Sequence, residues 1–181
     1  LVDPLDGTKE FVKKNGEFTV NIALIENGLP IYGIIYAPVL KKLFVGNVGH
    51  EAWIAENVAT DTSVDSILAS KISIPKTKPS SPYIVVASRS HFSPETQEYV
   101  DELTKTKGDI DFASMGSSLK ICLVAEGAAD IYPRFGPTME WDTGAGHAIA
   151  KAAGKMVTDH ATGKEMRYNK ENLLNNWFIV E

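Results

Sequence analysis

Two short stretches of this chain carry residue types suited to chemistry. The first is Asp3-Pro4-Leu5-Asp6-Gly7-Thr8, almost at the start. Pro4 restricts Asp3 to an extended backbone and fixes its own φ. Gly7 lets the chain turn or lets a ligand approach closely. Residues 9–14 then read as a helix whose unpaired N–H groups point back at the turn, a setting that favours an anion and phosphate above all. Two carboxylates beside a phosphate repel it unless a cation lies between, and Mg²⁺ binds carboxylates together with substrate phosphate oxygens. The plainer alternative is a turn followed by a capping Asp. The second stretch is Trp141-Asp142 followed by Thr-Gly-Ala-Gly-His-Ala-Ile-Ala-Lys-Ala-Ala-Gly154. Ala145, Ala148, Ile149, Ala152 and Ala153 recur with helical spacing, predicting a helix over 143–153 with a narrow buried face of small residues. Asp142 stands at its N-terminus as a cap whose second oxygen remains available to a metal.

Three weaker signals follow. In Gly116-Ser117-Ser118-Leu119-Lys120, a lysine sits in the first turn of a predicted helix, where the helix dipole disfavours it; an anionic ligand would offset that cost, and a solvated lysine is the alternative. Ser88-Arg89-Ser90-His91 lies directly after a predicted strand, where ligands sit in open α/β sheets. Tyr132-Pro133-Arg134 also lies at a strand end, and the planar fork of Arg suits phosphate. His147, Cys122 and the tryptophans read as structural.

These residues need a scaffold, and the chain supplies alternating patterns for one. Residues 18–26, 31–37, 43–45 and 51–55 read as an antiparallel meander, with Asn27-Gly28 as a hairpin turn. A Pro- and Ser-rich stretch over 74–82 marks a boundary. Beyond it, strands over 83–87, 109–113 and 128–132 alternate with helices over 93–106 (Ser93 as cap, Pro94 at the first helical position) and 117–126. The helix over 143–153 and strands over 155–158 and 177–180 complete an α/β layered unit. The division expected is 1–80, an α+β part with antiparallel strands, and 81–181, an α/β part.

The 181 residues are 44% hydrophobic and 23% charged, with a net charge of −5, which argues against a nucleic-acid groove. One cysteine excludes an intrachain disulfide and a Cys-based zinc site. No apolar run approaches a membrane span. The first residue is Leu, and Leu1-Val2 supplies too little of the strand that would deliver Asp3, so the natural chain is expected to extend further toward the N-terminus.

The pair Asp3–Thr8 and Trp141-Asp142 resembles the two signatures of the inositol monophosphatase superfamily of Mg²⁺-dependent, lithium-sensitive phosphatases, D-P-I/L-D-G-T and W-D-x-A/G-A/G. The stretches DPLDGTKEF, NGEFTVNIAL, SRSH, GSSLKICLVAEG and YPRFGPT are similar to its CysQ branch, the 3′(2′),5′-bisphosphate nucleotidases. The resemblance implies a sugar-phosphatase-like layered αβαβ fold, truncated at the N-terminus, and hydrolysis of adenosine 3′,5′-bisphosphate to AMP and phosphate in sulfur assimilation. It also implies a cytoplasmic location or the cytoplasmic face of the inner membrane, a possible homodimer, and no nucleic-acid partner. It places two or three Mg²⁺ ions in the intact enzyme, held here by Asp3, the Leu5 carbonyl, Asp6 and Asp142. It has Gly7 and Thr8 hold the scissile phosphate through backbone N–H groups, with the Thr8 hydroxyl orienting the attacking water. It assigns the nucleotide and its second phosphate to Ser88, Arg89, Ser90, His91, Gly116, Ser117, Ser118, Lys120 and Arg134. One further metal-binding Glu of the family pattern precedes the first motif and is missing from this chain. The expectations are therefore a C-terminal portion with little activity by itself and an uncovered apolar face on the first sheet. A dehalogenase-type phosphatase is excluded, because its D-x-D-G-T needs aspartates two apart and these are three apart. Inositol monophosphatase or fructose bisphosphatase activity and a non-catalytic metal- or nucleotide-binding module are the alternatives.

Overall fold

The computed structural model describes residues 1–77, 82–87 and 93–181. The first part is a meander of β1 (Val2–Asp6), α1 (Thr8–Lys13), β2 (Thr19–Glu26), β3 (Leu29–Ala37), β4 (Lys42–Asn47), β5 (Glu51–Glu56), α2 (Val64–Ala69) and β6 (Ile72–Ser73). Its strands form one six-stranded sheet in chain order, and every pairing is antiparallel. The two-residue turn at Asn27-Gly28 has positive φ at both positions, as a tight hairpin requires. Six residues are too few for α2 to show a helical period, and its start rests on Ser63, whose hydroxyl accepts the Ser66 N–H.

The second part runs β7 (Tyr83–Val86), α3 (Pro94–Lys107), β8 (Ile110–Ala113), α4 (Leu119–Ala125), β9 (Tyr132–Arg134), α5 (Glu140–Ala152), β10 (Val157–Asp159), β11 (Lys164–Glu165) and β12 (Phe178–Val180). Ser93 caps α3 and Pro94 opens it. Strands β7 and β8 pair in parallel around the α3 crossover, and Val85 bridges Ile131 in parallel. Strands β11, β10, β12 and β9 form an antiparallel sheet in that order. The alternation expected from sequence therefore yields a mixed arrangement. Strand β9 lies later than the 128–132 expected, because the Ala128 and Ala129 N–H groups both donate to Leu123 O and close off α4.

Helix α5 ties the parts together. It starts at Glu140, three residues before the position expected, and it is buried on nearly every side rather than along a narrow stripe. One side lies directly on the backbone of the first sheet: a Cβ at Gly33 would stand 2.3 Å from Ala145 O, and one at Gly46 2.4 Å from Ile149 Cα. The opposite side meets α4, where a Cβ at Gly146 would strike Ile121. Glycine in the strands and alanine in the helix let the backbones approach this closely. One apolar cluster spans both parts, from Ile35 and Phe44 through Ile149 to Ile121 and Phe178. The other face of the first sheet carries Val2, Ile22 and Leu24, all exposed, with Val2 paired to Ile22. No helix among the described residues is long and apolar enough to cross a membrane.

Candidate metal and phosphate site

The local fold of β1 decides where its two aspartates point. Successive side chains of a strand alternate faces, so residues three apart normally diverge. Here Asp3 pairs with Asn21 and Asp6 with Thr19, which leaves one extra residue on β1 between the two pairs. Pro4, which has no N–H to give to a ladder, falls in this bulge. The bulge turns Asp3 and Asp6 to the same face, the face of Thr19 and Asn21 that α5 covers. Asp3 Oδ1 accepts the Leu5 N–H at 3.0 Å, which fixes the bend. Gly7 follows at φ 88°, a left-handed conformation, and ends the strand ahead of α1.

Asp142 arrives from the other part of the chain. It lies in the first turn of α5, where its Oδ2 accepts the Met139 N–H at 2.8 Å. It caps the helix from inside the first turn rather than from the flanking position. The carboxylates of Asp3, Asp6 and Asp142 converge, each offering an oxygen within 4.8 Å of the others.

Asp6 is the most firmly held of the three. Its Oδ2 receives the Ser118 N–H at 2.7 Å, Asn21 Nδ2 at 3.2 Å and Thr19 Oγ1 at 3.4 Å. Behind these donors, Ser118 Oγ donates to Asn21 Oδ1 and lies 2.8 Å from Thr19 Oγ1. Thr19, Asn21 and Ser118 are buried, and a polar cluster of this kind is favourable only when each member is satisfied. Burial raises the Asp6 pKa against the lowering effect of Asn21, Ser118 and Lys120. Burial also pushes Asp142 up to about 6, with the charges of Asp6 and Asp3 adding to the rise.

Lys120, in the first turn of α4, stands beside Asp6. Burial lowers its pKa to about 8, and the Asp6 charge opposes that fall. Its Nζ donates to Met115 O at 3.3 Å. A cavity of about 190 Å³ opens here, with Asp6, Asp142, Lys9, Lys120 and Arg134 on its walls. A second hollow of about 370 Å³ adjoins it and shares Lys9, Tyr132, Arg134 and Pro137 with the first.

The structure thus brings together Asp3, Asp6, Asp142, Gly7, Ser117, Ser118, Lys120 and Arg134. Thr8 is exposed at the start of α1, and Leu5 lies between the two aspartates in β1. Gly116 packs against Glu10 and Glu17, where a Cβ would come within 2.9 Å or less of both. Ser117 takes a left-handed φ of 43° and donates to Glu17 O, while Ser118 faces Asp6. Ser88, Arg89, Ser90 and His91 lie outside the described residues; Ala87 and Ser93 on either side both line the second hollow. His147 is structural as read from sequence, buried between Tyr168 and Glu165. Thr19 and Asn21 are the site residues that sequence reasoning missed. Their signal was present: two polar residues on the inward face of a strand whose next inward residue is Ala23.

The model described as the inositol monophosphatase family matches residues 1–178. The chain belongs to the inositol monophosphatase family. Within the family it is 51% identical over 182 residues to the 3′(2′),5′-bisphosphate nucleotidase CysQ of Salmonella typhimurium and 50% identical to that of Escherichia coli K12. Each match covers 99% of this chain and 66% of the relative. The chain therefore spans slightly less than two thirds of the length of these relatives. The crystal structure of CysQ from Bacteroides thetaiotaomicron, 53% identical, superposes with a TM-score of 0.92 over 99% of this chain and 68% of that one. A staphylococcal IMPase-II shares the fold at a TM-score of 0.73 and 21% identity, covering 99% of this chain and 64% of that one. The layered α/β fold expected from sequence is the fold of this family.

Proposed function

We propose that this chain carries the phosphate-hydrolysing centre of a magnesium-dependent 3′(2′),5′-bisphosphate nucleotidase, acting on adenosine 3′,5′-bisphosphate to give AMP and phosphate. The observation that carries the reading is the convergence of Asp3, Asp6 and Asp142 at one end of a cleft whose walls hold Lys120 and Arg134. The half-identical relatives named as CysQ nucleotidases support the choice of substrate.

The donor set fits a hard divalent cation. All three side chains are carboxylates, they crowd within 4.8 Å, and one oxygen of each is already anchored by a protein N–H. Asp3, the Leu5 carbonyl, Asp6 and Asp142 would hold the ions. Bound Mg²⁺ would supply an activated water and charge stabilisation for the leaving oxygen. The residues of the chain do the positioning. The Ser118 N–H and Asn21 fix one oxygen of Asp6, leaving the other for metal. The Met139 N–H does the same for Asp142. Gly7 and Thr8 present backbone N–H groups to the scissile phosphate, and the Thr8 hydroxyl orients a water. Lys120 and Arg134 counter the substrate's negative charge and, with Ser88–His91, receive the nucleotide. A homodimer, a place in sulfur assimilation and a cytoplasmic location belong to the same proposal.

The test is phosphate release by the full-length protein from adenosine 3′,5′-bisphosphate and from inositol 1-phosphate, with Mg²⁺, with EDTA and with lithium. The expected result is Mg²⁺-dependent, lithium-inhibited release that favours the nucleotide. A preference for inositol phosphate keeps the metal site and rejects the nucleotide assignment. Release from neither substrate rejects the hydrolase.

A further inference from the structure

Among the described residues, the cleft beside the acidic cluster has three cations on its walls, and they are not equivalent. Lys120 belongs to the acidic end: it is half-buried, donates to Met115 O and feels the Asp6 charge. Lys9 and Arg134 line both the small cavity next to Asp6 and the larger hollow beyond it. They therefore mark the junction of the two. Arg134 is held there by Nη2, which donates to Pro137 O at 3.2 Å, while its Nε is buried with no partner. Lys9 is exposed on α1, three residues beyond Asp6. Among the described residues neither cation is paired with a carboxylate. Past the junction the hollow is mostly apolar, with Ala87, Pro133, Phe135 and Pro137 among its walls.

This order of acids, junction cations and apolar hollow matches a ligand with one phosphate at each end of a sugar and a ring beyond. Resting on the nucleotidase reading above, we propose that Lys9 is a specificity residue which, together with Arg134, receives the second phosphate, the one that is not hydrolysed. A phosphate dianion is costly to remove from water against a single cation, and a guanidinium with a spare donor and an ammonium lining the same two cavities supply two. A monophosphate has nothing to place at this junction. Lys9 thus separates bisphosphate from monophosphate substrates without touching the metal site.

The experiment uses the full-length protein, its K9M and K9R variants, and two substrates that differ only in the second phosphate: adenosine 3′,5′-bisphosphate and adenosine 3′-monophosphate. A lost charge-assisted contact corresponds to roughly a ten- to hundredfold rise in KM. The expected result is a rise of that size for K9M on the bisphosphate, at least tenfold larger than its effect on the monophosphate. K9R should recover most of the difference, and thermal melts of the variants should match the wild type. Equal losses on both substrates would place Lys9 at the scissile phosphate or in the fold and overturn the inference. No loss on either would overturn it too. A wild type that prefers the bisphosphate while K9M keeps that preference rejects Lys9 alone. A wild type with no such preference over inositol 1-phosphate rejects the nucleotidase reading and this inference with it.

Discussion

His147 makes the stability of this protein depend on pH in a direction the structure dictates. The imidazole is 1% exposed inside α5, with Nδ1 3.0 Å from the Tyr168 hydroxyl and Nε2 3.3 Å from Glu165 Oε1. Two opposite outcomes are available to such a group. If the Glu165 contact dominated, protonation would be favoured and acid would stabilise the fold. However, Glu165 Oε1 also binds Lys151 Nζ at 2.6 Å, so its charge is largely answered. Burial then prevails and lowers the His147 pKa from 6.5 to about 4. Between those values the unfolded chain binds a proton that the folded chain does not, so stability falls as pH falls. At pH 5 the unfolded imidazole is roughly 97% protonated and the folded one roughly 10%, which costs about 2 kcal/mol relative to pH 7. For a chain of this size that is about 4–8 °C in Tm. Urea unfolding at pH 7 and pH 5 measures it, with H147Q as the control for every other titrating group. The wild type should lose about 2 kcal/mol more than H147Q between the two pH values. If H147Q loses as much as the wild type, His147 is not the buried neutral group described here. If H147Q loses more, the ion pair with Glu165 governs and the reasoning is wrong in sign.

Three further variants test the packing and the polar contacts. Asn21→Ala removes one donor to Asp6 Oδ2 and should weaken Mn²⁺ binding, read by calorimetry, by roughly tenfold, as loss of a supporting contact behind a metal ligand does; unchanged affinity would show that Ser118 holds Asp6 alone. Gly46→Ala drives a Cβ to within 2.4 Å of Ile149 Cα, so α5 must lift from the sheet, and the expected cost is at least about 1–3 kcal/mol in denaturant unfolding. Because α5 also carries Asp142, the same variant should bind Mn²⁺ more weakly even where it remains folded. Glu140 is fully buried and accepts from Lys170 Nζ and from the Asn169 and Lys170 N–H groups; Lys170→Met should cost about 3–5 kcal/mol by leaving that carboxylate without its counter-charge, and unfolding titrations of the variant would measure it.

The sequence by itself determined the local pieces. Alternation over 18–26 and 31–37 and the Asn27-Gly28 turn specify a hairpin through neighbours alone, and the structure forms it as β2 and β3. The stretches around Asp3–Thr8 and Trp141-Asp142 pointed to the inositol monophosphatase family, to which the chain belongs. Short elements were not legible: α2 has six residues and β11 two, too few for a period to appear, and both depend on what they pack against. The start of α5 at Glu140 depends on Asp142 reaching back to Met139, a contact that propensity does not encode.

Tertiary structure alone decided how the acids meet. Residues three apart on a strand diverge unless a bulge intervenes, and only the pairing of β1 with Thr19 and Asn21 reveals one. That Asp142 joins them follows from α5 lying on Gly33 and Gly46, a contact between segments about a hundred residues apart. The roles of Ser118, Thr19 and Asn21 as holders of Asp6 arise the same way. A sequence fixes which groups a chain carries and the geometry of near neighbours. The distance between far segments comes from burying apolar surface at the closest approach that glycine and alanine permit, and that packing turns three separate carboxylates into one site.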